Sequence, residues 1–549
     1  MKIRSQRVEL EIFDSSDYFT EIGNRTTGDQ ICRGGEMTLL VRSPLAVSEP
    51  EVLNIVECGS DGEGLRLQFS DTSRSHHAIM KISSNENGLR FQLHVKSPQP
   101  VWLVEWRLGG WLCEEVIVPA LGGQVLTAHM PVDTTLSYKY PFWWSTQFVI
   151  GNSQRGGFCI SSRDSKPDLK LLRVKKEAES FEICYGFEAD AQRMSNELEA
   201  EWFVDTFESD WRQAVDQHRS WMEAAFGLQP VTSHPHFPKW ANDMNFVLEI
   251  WGVRKDKPQP LHTFPETIER LQQWSNLHDP KRTLVYLAGF AENGIDSHAP
   301  DYNPSSALGG DEKFKELMDA AHEMGYRVMI HTNILAMTFT HRLFPKFKEH
   351  QVVDVFGRPQ TWGLDMDGDW LAEPFFAYIN PGAKEWGDLM TAVIGDLITR
   401  FKVDAVFLDQ TLLAFNVSRG PNFLTGMRQH IQRLQSAFPE ILFAGEGQHE
   451  QTLSALPMAQ IHGIDSVAEV HGMDGQTSWR RAHPVSTYLF GKYTRFTPHL
   501  LTKHPSHPMF KFQEAAYAEL GVLPALVLYH SSQAMDTPEV RAMIARASG

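Results

Sequence analysis

The sequence has little cysteine, no long apolar run and no excess of positive charge, and each shortage removes a class of function. Only five cysteines occur in 549 residues: Cys32, Cys58, Cys113, Cys159 and Cys184. They are odd in number, widely spaced and confined to the first third of the chain. That pattern supports neither a disulfide framework nor a zinc knuckle, and fits buried, reduced thiols of a cytoplasmic protein. No stretch reaches the ~18 consecutive apolar residues of a membrane span, so no membrane association is expected. The segment from Met1 to Ser16 carries basic residues but no apolar run of the kind a secretory leader needs, so none is expected. Lys and Arg number 51 against 68 Asp and Glu, a formal charge of 51 − 68 = −17, the wrong sign for gripping a phosphate backbone. Nucleic acid is therefore not an expected partner.

What is present is an ordinary globular composition with 42% hydrophobic residues and a full stock of flat rings, 15 Trp, 33 Phe and 12 Tyr, suited both to cores and to sugar faces. The texture changes along the chain. Over residues 1–205 short segments alternate apolar and polar side chains, as in Val8-Glu9-Leu10-Glu11-Ile12, Leu89–Val95 and Phe181–Tyr185, and turn residues such as Asp61-Gly62 and Asn87-Gly88 separate them. A period of two buries one face of a strand and wets the other, and many such strands predict an antiparallel β-sandwich. Residues 206–239 read as a helical linker: Trp211, Ala214, Val215, His218, Trp221 and Met222 recur at helical spacing before Gln229-Pro230 breaks the run.

From residue 240 to 549 short apolar strands alternate with amphipathic helices. Asp311 and Glu312 open a helix whose Phe314, Leu317, Met318, Ala321 and Met324 form one stripe; Gly325 ends it and Arg327–His331 follows as a strand. A second unit starts with Asn380 as N-cap and Pro381 at the first helical position. Strands are expected near 245–250, 283–288, 327–332, 403–408, 441–445, 459–464, 495–500 and 522–528. Strand–helix units in this number predict a (β/α)8 barrel, and the chain as a whole reads as a multidomain protein, sandwich first and barrel second.

In a barrel the chemistry gathers at the carboxyl ends of the strands. The expected fourth strand ends in Asp409 and the fifth in Gly445-Glu446-Gly447. Neighbouring strands lie ~4.8 Å apart, so two acids remote in sequence are expected to share one cleft. Two convergent carboxyls serve glycoside hydrolysis, one attacking the anomeric carbon and the other protonating the leaving oxygen. Asp409 is short and deep, which suits a nucleophile. Glu446 reaches further, between glycines that leave room for a leaving group. Retention of configuration calls for ~5–5.5 Å between them.

Other strand ends and loops supply candidates for gripping sugar hydroxyls. They are Glu249 and Trp251 after the first strand, Asp296, His298, Asp301 and Tyr302 after the second, His331 and Asn333 after the third, and Gln410 beside Asp409. In the first half, Trp143 and Trp144 interrupt the alternation and read either as a sugar platform or as core filling. Asp365-Met366-Asp367-Gly368-Asp369 looks like a calcium loop, but Phe376 occupies the twelfth position where an acid belongs, so it is set aside.

The run Asp296–Pro304, Gly309-Gly310 and Gly325–Asn333 resembles the retaining α-glycosidase barrels, in particular endo-α-N-acetylgalactosaminidase-like proteins and relatives of the α-galactosidases. The segments Tyr140–Phe148 and Gly156–Ile160 are similar to the sandwich edge of such proteins. The resemblance implies a sandwich followed by a catalytic barrel, with Asp409 as nucleophile, Glu446 as acid/base, a carbohydrate substrate and no cofactor. One departure stands out: the position two before the nucleophile, Arg in the α-amylase pattern and Lys in the α-galactosidase pattern, is Phe407. Two other readings stay open. One is a metal-dependent barrel hydrolase or isomerase using His298, His331, His462 or His471; the other is a carbohydrate-binding relative without turnover. The sequence leaves the sugar, the linkage and the oligomeric state open.

Overall fold

The computed structural model describes residues 1–14, 18–255, 259–365, 369, 371–461, 479–499, 505 and 508–548. The chain forms two compact units, Met1–Gly227 with His471–Leu489, and Leu228–Val470 with Phe490–Gly549.

The first unit is a nineteen-stranded antiparallel system, and the expected sandwich-like alternation is visible residue by residue. Along Val8–Phe13 the side chains of Val8, Leu10 and Ile12 are buried while their neighbours are half-exposed; along Gly88–Lys96 Leu89, Phe91, Leu93 and Val95 point inward. Strand Glu197–Glu208 pairs with Gly88–Lys96 in the register Trp202↔Phe91, and those rings stack at 5.3 Å in the core. Trp144 belongs to this core. It is fully buried, donates its Nε1–H to Phe148 O at 3.0 Å and meets Tyr185 edge-on, so it fills the first unit and offers no platform to a sugar. Trp143 is half-buried, stacks on Phe142 at 4.7 Å and sits at a positive φ of 68°.

The segment read as a linker is shorter than its expected bounds. The last long strand runs to Glu208, and helix Arg212–Phe226 clusters with the first unit, because its stripe Ala214, Val215, His218 and Met222 is buried there and His218 meets Phe148 at 5.0 Å. Gly227, at φ 62°, closes that helix left-handed, a conformation glycine adopts without steric cost. The short strand Arg480–Ala482, late in the sequence, pairs with Gln124–Thr127 and so also belongs to the first unit rather than to the barrel.

The second unit holds an eight-stranded parallel sheet. In chain order its strands are Phe246–Trp251, Thr283–Ala288, Arg327–Asn333, Ala405–Asp409, Leu442–Gly445, Met458–Ile461, Arg495–Pro498 and Ala525–Leu528. Each lies within a few residues of its expected place. The strands follow chain order from first to seventh, and the eighth pairs with the first, Leu248↔Leu526. A backbone hydrogen bond from Leu523 N–H to Phe496 O, 3.0 Å, ties the seventh strand to the approach of the eighth, so the sheet curls into a barrel. Its interior is packed by Val247, Leu284, Tyr286, Met329, Ala405, Phe407 and Leu442, side chains that each contribute roughly 1.5–3 kcal/mol when large and fully buried. Helix Gly310–Met324 buries Phe314, Leu317, Met318 and Ala321 and ends at Gly325, as the sequence pattern requires. Helix Lys384–Phe401 starts later than expected. Asn380 does not cap it; its Oδ1 accepts from Gly382 N–H at 2.9 Å and its amide donates to Pro421 O, so it folds the preceding turn, and Ala383 takes the cap position. Among the described residues no helix is long and apolar enough to cross a membrane.

Candidate functional site

The fourth and fifth barrel strands pair in the register Leu408↔Gly445, which places Asp409 and Glu446 one step further at the same rim. Glu446 N–H donates to Leu408 O at 3.2 Å, continuing the ladder, and Gln410 N–H returns a bond to Glu446 Oε2 at 2.9 Å. Gln410 adopts φ 65°, a left-handed turn unfavourable for a side chain other than glycine, at the point where the strand must leave the barrel. The third strand lies on the other side of the fourth, with Asn333 opposite Asp409.

Asn333 is the hub. Its Oδ1 accepts from Leu335 N–H and Ala336 N–H, each at 2.9 Å, and this fixes which end of the amide is which. Its Nδ2 then faces three acceptors at 3.1 Å each: Asp296 Oδ2, Asp409 Oδ2 and Gln410 Oε1. Two hydrogens serve three acceptors, so the amide ties both carboxylates and Gln410 into one rigid cluster. Asp296, fully buried at φ 57°, also accepts from Tyr302 Oη at 3.2 Å and lies 3.3 Å from His331 Nε2; His331 Nδ1 is bridged to Tyr286 Oη at 2.7 Å.

Electrostatics separate the carboxyls. Burial works against the charge of Asp296, but His331, Lys255 and the Asn333 amide outweigh it and hold the group down at about 2. Asp409 goes the other way: burial, then the negative charges of Glu446 and Asp296, raise it well above the carboxylate range. Glu446 stands within hydrogen-bond reach of Asp409. A third acid, Glu249, is pushed up to about 7 by burial and is partnered by Trp251 Nε1–H at 2.7 Å.

These groups open into one cavity of about 780 Å³, lined by Glu249, Trp251, His331, Asp409, Gln410 and Glu446 among others, a volume suited to a small ligand. Residues 197–494, more than half of the chain, match the family described as Domain of unknown function (DUF6259). The chain belongs to that family. No curated protein matches it. Solved structures do. The α-N-acetylgalactosaminidase NagBb from Bifidobacterium bifidum, in complex with GalNAc, superposes at a TM-score of 0.72 over 100% of this chain and 92% of that one, with 12% identity. The same enzyme without ligand gives 0.73 at 14% identity, covering 100% and 93% of the two chains. The GH36 α-galactosidase AgaA from Geobacillus stearothermophilus gives 0.51 at 10% identity, over 100% of this chain and 85% of that one. The likeness is one of fold, and the architecture expected from sequence, an antiparallel sheet-rich unit and a parallel eight-stranded barrel, is present.

Not every expected contact of the DUF6259 chain reaches the cavity. His298 is exposed, its Nε2 2.7 Å from the Asn293 amide; Asp301 is taken by His341 and Arg342, both at 3.1 Å. Neither lines the cavity; the loop after the second strand lines it with Ile295, and Asp296 is buried behind the wall against Asn333 and His331. Tyr302 is buried behind Asp296 and accepts from Asn333 N–H, supporting the cluster from outside the cavity. His462 and His471 lie outside the described residues, as does much of the segment resembling a calcium loop.

Other lining residues escaped the sequence reading: Lys255, Trp362, Gln460, His499, Tyr529 and His530. Four of them had a signal. Gln460 is in the sixth strand, His499 follows Pro498 at the end of the seventh, and Tyr529 and His530 follow Leu528 at the end of the eighth, the same rule that found Asp409. Trp362 comes from a short antiparallel strand, Thr361–Leu364, inside a long loop, where no periodicity announces it.

Proposed function

We propose that this chain is a glycoside hydrolase of the retaining α-glycosidase type, with Asp409 as nucleophile and Glu446 as general acid/base. The observation that carries the reading is the meeting of these two carboxyls, from adjacent strand ends, in one cavity beside hydrogen-bonding groups suited to sugar hydroxyls. Asn333 donates to Asp409 and the Lys255 ammonium favours its charged form, and on this reading Asp409 reacts as the carboxylate while Glu446 carries the proton. Asp409 then attacks the anomeric carbon as the glycosidic C–O bond breaks, and Glu446 gives its proton to the leaving oxygen. Glu446, now a carboxylate, takes a proton from water, whose oxygen displaces Asp409 and restores both groups. His331 and Gln410 line the cavity as hydroxyl partners, and Trp251 as an apolar face.

The α-N-acetylgalactosaminidase and α-galactosidase activities printed for the structural neighbours support an α-linked, galactose-like glycone. A panel of α- and β-linked p-nitrophenyl glycosides, with NMR of the first-formed anomer, tests the reading. The α-glycoside is expected to release the α-anomer first, and Asp409→Asn to lower turnover by about three orders of magnitude or more. Near-full activity in both Asp409→Asn and Glu446→Gln would end the assignment.

One observation favours a second reading. Ligand atoms of Asp296, His331 and Asp409 lie within 4.8 Å of one another and could hold a cation. The Asn333 amide already donates to both carboxylates and Lys255 stands beside Asp296, which favours the hydrogen-bonded state. A stoichiometric transition metal in the purified protein, lost together with activity on chelation, would reverse that preference. Glycan affinity with no turnover of any aryl glycoside would point instead to a binding protein.

A further inference from the structure

Lys255 follows the first barrel strand, on a segment the fold pins in place. Gly252 N–H and Val253 N–H donate to Ala288 O and Gly289 O, each at 2.8 Å, and Gly252 packs so tightly that a Cβ there would meet Gly289 O at 2.5 Å. The side chain is only 18% exposed. Its ammonium sits 4.0 Å from the centroid of the Trp362 ring and 5.6 Å from that of Phe376, whose rings stack on each other. The carboxylate it approaches, Asp296 Oδ2, is 4.0 Å away, beyond hydrogen-bond length. Among the described residues this ammonium has no hydrogen-bond acceptor, although it carries three donors and lines the cavity.

A structural lysine behaves otherwise. Lys170 of the first unit, 1% exposed, stands over the Tyr140 ring but also donates to Asp164 Oδ2 and Asp168 O, both at 3.3 Å. Burying an ammonium while leaving its hydrogens unmet is costly, and the cost is recovered when an acceptor arrives. Phe407, two residues before Asp409, brings an aromatic edge to the floor of the cavity and no charge, so Lys255 is the cation that stands by Asp296 and acts on Asp409.

We propose that Lys255 is a glycone-binding residue whose ammonium donates to an oxygen acceptor of the sugar, a ring hydroxyl or the carbonyl of an acetamido substituent, held between Trp362 and Asp296. This rests on the cavity being a sugar site, and it adds a specificity-determining contact that the two catalytic carboxyls do not supply. The cation–π contact keeps the ammonium in place before the ligand binds, so little ordering is needed when it does.

The test uses full-length wild type, Lys255→Met and Lys255→Arg. Binding of galactose and of N-acetylgalactosamine is measured by calorimetry, and turnover with the matching p-nitrophenyl α-glycosides and with glycosides deoxygenated at one position at a time. Lys255→Met is expected to weaken monosaccharide binding and raise KM by about tenfold or more, with a smaller change in kcat, and to melt no lower than wild type. Lys255→Arg is expected to recover most of the affinity. One deoxygenated position is expected to cost wild type about the same factor and Lys255→Met nothing; if removing the acetamido group does this, the acceptor is its carbonyl, otherwise a hydroxyl. Binding by Lys255→Met within about twofold of wild type, or equal losses at every position, overturns the proposal, and turnover by wild type that Asp409→Asn abolishes would leave the hydrolase reading standing. Sugar binding that depends on Lys255 without any turnover does the reverse. Failure of wild type to bind either sugar overturns both.

Discussion

Asp404 and Asp409 stand at opposite ends of the fourth barrel strand, and the same side chain is treated in opposite ways. Asp404 is mostly buried, which by itself would raise its pKa, yet it accepts from His322 Nε2 and Val328 N–H, each at 2.9 Å, and from Arg327 at 2.7 Å. These partners hold it below the ordinary carboxylate range. Asp409 is raised well above that range, by burial first and then by the negative charges of Glu446 and Asp296. Glu105, fully buried in the first unit, is also flanked by cations, Arg42 and Arg173 at 3.1 and 3.2 Å. A buried carboxylate surrounded by cations holds a fold together, whereas carboxyls crowded together resist carrying charge side by side, the setting that acid/base chemistry uses. The contrast agrees with the division of labour in barrels, stability at the amino end of the strands and reaction at the carboxyl end.

Exchanging the two roles by mutation sharpens the contrast. Asp409→Asn carries the largest expected effect, a loss of turnover worth about 4 kcal/mol or more of transition-state stabilisation. Its urea midpoint is expected to stay level or rise, since a repelled buried acid is removed. Asp404→Asn is expected to do the converse: about 2–4 kcal/mol of stability lost, with turnover per folded molecule unchanged. Because the folded pKa of Asp404 is depressed, its contribution is present above the unfolded value near pH 4 and fades as the pH falls through the lower folded value. Urea unfolding at pH 7 and at pH 3 is therefore expected to show a large gap between wild type and Asp404→Asn at the first and a small one at the second.

What the sequence made legible follows the same logic. All eight strands of the barrel were readable because each is a short apolar run bounded by turn residues, and the rule that polar residues ending such runs face the rim led to Asp409, Glu446, Asn333 and Glu249. The rule failed where the chain leaves the strand. Asp296 and His298 are two residues apart in one loop, and a left-handed turn at Asp296, invisible in residue type, goes with the burial of the first against Asn333 and the exposure of the second. The Trp143-Trp144 pair stayed open for a related reason: an aromatic doublet looks the same whether it fills a core or floors a groove, and burial assigns Trp144 to the core. Asn380 resembled a helix cap because a residue that folds a turn uses the same side-chain oxygen.

Glu249 tests the same comparison more gently. Its folded value of about 7, against an ordinary 4.5, means the native protein keeps a proton that the unfolded chain releases. Stability is therefore expected to decline as the pH rises from about 4.5 to 7, by on the order of 3 kcal/mol, and to level off above. Glu249→Gln removes the titration, so urea midpoints measured between pH 5 and pH 7.5 are expected to fall for wild type and stay flatter for the variant. A parallel decline in both proteins would mean that Glu249 is charged within the barrel at neutral pH.

The smallest effect is expected at His298, and it separates loop position from cavity position. Its ring is exposed and, among the described residues, meets only the neighbouring Asn293 amide, an interaction that water can replace at little cost. His298→Ala is expected to change stability by less than about 0.5 kcal/mol and to leave kcat and KM for aryl glycosides unchanged. Asp296→Asn, two residues away, breaks contacts to Asn333, Tyr302 and His331 at once, and is expected to lower turnover sharply. A large loss of activity in His298→Ala would mean that the loop closes over the substrate with His298 turned inward.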